Sequence, residues 1–310
     1  MEEARGTNIG TRGAVRKESS CLGAGFGRKN AILGLYHGTY SGDDMHRHGL
    51  AWTIAMVCMA TAAEAQTTRR TPADGAVAVA PADGEALIRL MRARYSGSWY
   101  KTLTFVQKTT AYDAQGVPTI STWYETSADP GLLRIDQGNP AEGNGVLYTA
   151  DSLFRMRAGK MVGATAGGNP VTTLVFDVYL DTPERSISRL KAAGFDLSKI
   201  HSAVWDGNAV WVVGAAAGDS VTPQFWVEKA RLMLVRQLSP ARPGSTRILD
   251  ARVGDFRPAA KGWVGARFEF WIGGKLVQAE EYTDIHADVP VDRELFDVTK
   301  WITAKHWARP

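Results

Sequence analysis

The chain changes its hydrophobic period several times, and each change marks an element. After Asp83, a good N-cap, the apolar residues Leu87, Leu90 and Met91 recur at helical spacing as far as Arg94, and Ser96-Gly97 closes the run. This predicts a short helix with one apolar stripe. From Trp99 the signal becomes that of a strand: WYKTLTFVQKTTAYD is rich in aromatic and β-branched residues and stops at the turn Asp113-Ala114-Gln115-Gly116. A second strand returns over 119–126, and short strand-like runs follow at 132–136, 146–149 and 154–157, the pattern of an antiparallel meander. A helical interruption comes next. Pro170 opens a segment carrying Leu174, Phe176 and Leu180; a further helix has Thr182 as N-cap, Pro183 in its first position, Ile187, Leu190 and Ala193 inside, and Gly194 as terminator.

The strand pattern then resumes at 204–205 and 210–214, across the hairpin signal Asp206-Gly207-Asn208. It continues through 223–227, 232–238, 246–256, 263–272 and 276–285. From Trp263 onward, Val264, Ala266, Phe268, Phe270 and Ile272 alternate with positions that include Arg267 and Glu269, so one face of that strand is dry. The sum is an α+β fold, mainly antiparallel β, of about ten or eleven strands. Strand twist curls an open sheet of that size, and the helices need a surface to cover. The expected architecture is an unclosed β half-barrel with an N-terminal helix and a helical lid.

Composition adds a boundary near the N-terminus. Apolar residues make up 45% and charged residues 22%, which excludes a collagenous, coiled-coil or wholly disordered chain. Reading from Met45, the basic Met-His-Arg-His leads into an apolar run from Leu50 through Met59 and then to Ala63-Glu64-Ala65 before Gln66, the three parts of a secretory signal peptide. The run is too short to span a bilayer stably. The expected layout is therefore a disordered or misassigned N-terminal extension over 1–44, a cleaved signal peptide over 45–65, a flexible linker over 66–83 and a single domain over 84–310, in the periplasm. Met45 would then be the true start. Both cysteines, Cys21 and Cys58, precede the cleavage point, so the mature chain could form no disulfide or Cys-based zinc site. Cys58 follows Val57 rather than a small residue and reads as part of the apolar run, not as a lipidated cysteine. Seven of the 36 basic and six of the 32 acidic residues precede Gln66, which leaves the rest nearly neutral and without a basic stripe. Nucleic acid is not an expected partner.

Several short motifs occur in a telling order: Thr104-Phe105-Val106-Gln107 after a helix, Asp129-Pro130-Gly131-Leu132-Leu133-Arg134 at the start of a strand, 146–162 as a hairpin, Asn169-Pro170-Val171 opening the mid-chain helix, and Phe225-Trp226-Val227-Glu228 followed by 232–236. The order resembles that of the periplasmic outer-membrane lipoprotein carriers and lipoprotein-sorting proteins (LolA/LolB-like), over about 83–297. The resemblance implies an unclosed half-barrel with a helical lid over a hydrophobic cavity that shelters acyl chains. Where the carriers have a basic residue before the proline that helps latch the lid, this chain has Asp129. The segment 301–310 does not extend the resemblance.

Candidate chemistry is sparse. Asp284, His286 and Asp288 alternate along one predicted strand and could form an oxygen and nitrogen metal site, with a polar outer face as the plainer account. His201 and His306 read as surface or boundary residues. Gly167-Gly168-Asn169-Pro170 could hold an anion at a helix start, but reads more simply as a turn with its cap. No nucleophile elbow, phosphate-binding glycine loop or zinc-protease helix is present. The nine tryptophans after Gln66 suit core and rim packing. An unclosed barrel leaves inward apolar side chains without an opposing sheet, and so a cavity. Phe105, Leu133, Leu147, Phe268 and Phe270 are its expected lining, with Leu174 and Phe176 from the lid. Each acyl CH₂ removed from water contributes about 0.8 kcal/mol, so a chain of about a dozen carbons could outweigh the ordering cost. The expected function is a monomeric, non-enzymatic carrier of a lipid or lipoprotein acyl chain, without cofactor, with peripheral membrane contact. An envelope sensor or scaffold binding a protein partner on the same sheet is the alternative, and a metal-dependent enzyme centred on His286 a third.

Overall fold

The computed structural model describes residues 80–242 and 244–308. The expected extension over 1–44, the expected signal peptide over 45–65, both cysteines and residues 66–79 of the expected linker lie outside them. Helix α1 (Gly84–Arg94) starts where the pattern places it, with the Asp83 carboxylate accepting from the Ala86 N–H at 2.7 Å. Its first residue must be glycine: a Cβ there would lie 2.5 Å from Val213 Cγ1.

Thirteen antiparallel strands form a single sheet that does not close. The first meander holds β1 (Thr102–Tyr112), β2 (Pro118–Ala128), β3 (Leu132–Gln137), β4 (Gly145–Tyr148), β5 (Ser152–Arg157) and β6 (Lys160–Ala166). The second holds β7 (Ile200–Trp205), β8 (Asn208–Val213), β9 (Gln224–Glu228), β10 (Met233–Pro240), β11 (Ile248–Ala259), β12 (Gly262–Ile272) and β13 (Lys275–Ala287). Within each meander every strand pairs with its neighbours in sequence, and the β1–β13 pair joins the two meanders. The free edges are therefore β6 and β7, which are consecutive along the chain. The helical segment connects one free edge to the other: α2 (Pro170–Val175), a 3-10 turn over Asp177–Tyr179, and α3 (Pro183–Ala192). This topology makes the lid the crossover of an unclosed barrel.

The strand count exceeds the expected ten or eleven chiefly because β6, exposed along nearly all its length, carries no alternating apolar signal; of β7 only the end, 204–205, reads as strand. On β12 the predicted dry face holds: Val264, Ala266, Phe268, Phe270 and Ile272 are all buried, and Arg267 pairs with Glu269 on the other side. The main core lies between the concave face of the sheet and the helices, which pack on one another, with α2 reaching β10.

A second buried layer lies on the convex side. There the C-terminal residues cover β2 to β5, and Arg134 of β3, fully buried, pins them. Its guanidinium donates to both oxygens of Asp136 at 2.7 Å, to the Leu295 carbonyl at 3.1 Å and to the Trp301 carbonyl at 2.9 Å, and it stacks 3.7 Å from the Trp301 ring. His306 is buried here, not at the surface as its isolation in sequence suggested. The Ala308 N–H donates to Nδ1, so Nε2 carries the proton and donates to Asp136 at 3.0 Å.

Candidate binding site on the concave face

Six of the seven expected lining residues meet in one continuous core: Phe105, Leu133, Phe268 and Phe270 from the sheet, and Leu174 and Phe176 from the lid segment. Leu147 does not join them. It faces the convex side and packs with Met156 and Trp301, while its neighbours Val146 and Tyr148 face inward. A reading of β4 displaced by one residue inverts its faces, and the burial of all four residues of this strand hid the alternation.

The floor of the concave side is an aromatic row. Phe105 stacks on Tyr282 at 4.3 Å between ring centres, Tyr282 on Phe268 at 5.2 Å, and Phe268 on Phe270 at 6.4 Å. The roof comes from α1 and the lid, through Leu87, Met91, Leu174, Val178 and Leu190. The interior is closed in this conformation: Phe105 and Leu174 are 0% exposed and Phe176, the most accessible of the six, only 8%. The expected hydrophobic cavity is therefore not open: the lid's own apolar side chains fill the space over the sheet. Two surface hollows lie elsewhere, one of about 470 Å³ beside Arg257, Asp284 and His286, and one of about 270 Å³ beside His201, Trp226 and Arg236.

Polar contacts tie the lid down at two places. At the β2–β3 turn, Gly131 has φ of 85°, and its N–H donates to the Asp177 carboxylate at 2.7 Å. Arg189 of α3 faces the same carboxylate at 3.4 Å and Asp181 at 3.1 Å. Asp129, where a basic latch residue is missing, pairs instead with Arg293 of the C-terminal segment. The turn thus latches the lid through a backbone amide. Burial raises the Asp177 pKa to about 6, against the lowering effects of the Gly131 N–H and Arg189. At the other place, the Tyr179 hydroxyl donates to the Leu232 carbonyl at 2.8 Å and its ring stacks on Trp99 at 3.9 Å.

Beside the aromatic floor the concave face turns polar. Opposite residues of antiparallel strands share a face, and the register lines up Tyr282, Gln107, Trp123 and Gln137 across β13, β1, β2 and β3. The next row sets Phe105 beside Glu125, and Glu280 lies opposite both Thr109 and Phe268. Gln107, Glu125, Gln137 and Glu280 are all 6% exposed or less. Glu280 accepts from Gln278 Nε2 at 2.6 Å and from the Tyr282 hydroxyl at 3.0 Å. Gln107 Oε1, Glu125 Oε1 and Gln137 Nε2 have no hydrogen-bond partner among the described residues. Such atoms each cost about 1–3 kcal/mol when buried. Burial, reinforced by the nearby Glu280 charge, holds the Glu125 pKa well above the usual carboxylate range. The sequence reading missed this cluster although its signal was present: Gln107, Glu125 and Gln278 occupy inward positions in register with Phe105 and Phe270.

The possible metal trio is not assembled. Asp284 and Asp288 have φ of 49° and 57°, which breaks the alternation that would have aligned them. Asp284 contacts His286 at 2.8 Å, whereas Asp288 accepts from the Lys101 N–H at 2.8 Å. Among the described residues no group of three or more His, Cys, Asp or Glu is arranged to hold a metal. At the start of α2, Asn169 caps the helix by accepting from the Val171 N–H at 2.9 Å, as the turn-and-cap reading has it.

The fold and site define an open antiparallel half-barrel with a latched helical lid. No family model and no curated protein matches the chain. Solved structures similar to it in fold include an outer-membrane lipoprotein-sorting protein domain from Vibrio parahaemolyticus, at 10% identity and a TM-score of 0.44 over 71% of this chain and 98% of that one. A DUF1329 family protein from Desulfovibrio piger aligns at 13% identity and 0.46, over 69% and 95% respectively. A LolA superfamily protein from Nitrosomonas europaea aligns at 11% and 0.41, over 69% and 97%.

Proposed function

We propose that the mature protein is a periplasmic, non-catalytic binding or carrier protein that seats the apolar chain of a lipid or lipoprotein between the concave sheet and the lid. The observation that carries this reading is the construction of the interior: an aromatic floor on an open sheet, roofed by a segment that spans the two free edges and is held by a few polar contacts. A guest would replace the lid's own apolar side chains on that floor, so the exchange of contacts is close to even for the sheet. The gain comes from removing the guest's chain from water, at about 0.8 kcal/mol per CH₂. Release needs no chemistry, only a better apolar acceptor.

The test is saturable binding of a fluorescent twelve-carbon acyl probe by wild type and by Phe268→Asp, with folding checked by circular dichroism. Wild type binds one equivalent and the folded variant binds none. Equal binding by the two would overturn the proposal. The filled interior is the observation that favours the second reading, a scaffold that captures an envelope protein partner on its outer surface. Under that reading wild type binds no acyl probe at all, yet retains its partner in Phe268→Asp.

A further inference from the structure

We infer that the polar inner cluster of Gln107, Glu125 and Gln137 recognises the uncharged head of the guest, a group that both donates and accepts hydrogen bonds, such as a carboxamide. This rests on the carrier reading and adds selectivity to it. The three unspent atoms sit on adjacent strands of one face, next to the aromatic floor where the apolar chain would lie. They comprise an acceptor, Gln107 Oε1, a donor, Gln137 Nε2, and an oxygen of Glu125. An amide N–H can meet the first while its carbonyl meets the second.

A charged head fits less well. Glu280, whose charge adds to the raised Glu125 pKa, already accepts at both oxygens, from Gln278 and Tyr282, so a cationic head would compete with those bonds. An anionic head would meet Glu280 and the acceptor of Gln107, both unfavourable to negative charge. Burial disfavours the charged form of Glu125, and a protonated carboxyl there can donate to a carbonyl as well as accept from an N–H.

The experiment compares displacement of the acyl probe by dodecanamide, dodecanoate and dodecylammonium, three guests with one chain length and three heads. Wild type prefers dodecanamide over either charged form by about tenfold, the upper end of what one hydrogen bond contributes. Gln107→Leu and Glu125→Leu each reduce that preference to about twofold while still binding the chain. If these variants do not fold, Gln107→Glu, similar in shape, moves the preference toward dodecylammonium. Equal affinity for all three heads in wild type overturns the inference and leaves the carrier reading standing, as does a preference unchanged in the variants. Failure of all three to displace or bind overturns both.

Discussion

Strand β3 buries polar side chains on both of its faces, and the two faces treat them differently. On the convex face Arg134 and Asp136 are completely buried and fully engaged, with the guanidinium distributed over a carboxylate, two carbonyls and the Trp301 ring. On the concave face, one residue further along, Gln137 shares its surface with Gln107 and Glu125, and each leaves a polar atom unengaged. A buried charge is tolerated when its partners are complete. The convex cluster is therefore a structural pin for the C-terminal segment, whereas the concave cluster is a region where the fold accepts a cost that packing alone does not require.

The largest expected effect is on the pinned side. Arg134→Met removes one partner of a buried pair and leaves Asp136 uncompensated, which should destabilise the protein by about 3–5 kcal/mol in urea denaturation. A loss below about 1 kcal/mol would mean that the convex network is not the pin. The next effect concerns the latch. Because the folded pKa of Asp177, about 6, lies above the ordinary 3.8, the folded chain holds more protons than the unfolded one between those values. Stability from this group is thus present at low pH and falls as pH rises through about 6, by roughly 2–3 kcal/mol in all. Asp177→Asn should flatten that part of the stability profile, and an unchanged slope would remove Asp177 from the latch.

Gly131→Ala should cost about 1–3 kcal/mol, since its Cβ would come within 2.8 Å of the Ala150 backbone in a left-handed conformation. The variant should also loosen the lid, seen as faster exchange in α2. The smallest effect is the most informative for the comparison. Glu125→Leu removes an atom that has no partner, so stability should be unchanged or rise by up to about 1 kcal/mol. A loss comparable to that of Arg134→Met would show that the concave cluster is as structural as the convex one.

Much of the scaffold was readable from the chain because it rests on local chemistry. Asp83, Asn169 and Thr182 cap the helices they precede, and the alternation from Val264 to Ile272 sets the face of β12. What escaped was long-range. Leu147 and Arg134 are inward-looking or surface-like residues by pattern alone, and only the C-terminal segment packing behind them gives the convex side a core. His306 looked isolated because its partner, Asp136, is 170 residues away. The latch was missed for a different reason: a backbone amide replaces the side chain that the resemblance led one to seek at Asp129, and backbone donors leave no mark in a sequence.

Whether the interior is a seat for a guest is tested most directly by hydrogen exchange of the folded chain with and without a saturating twelve-carbon acyl probe. Seating between floor and lid predicts that amides of α2 and α3 exchange faster in the complex while those of β12 stay protected. Exchange that is identical along the lid at saturation, or protection gained only on the convex face, would contradict it.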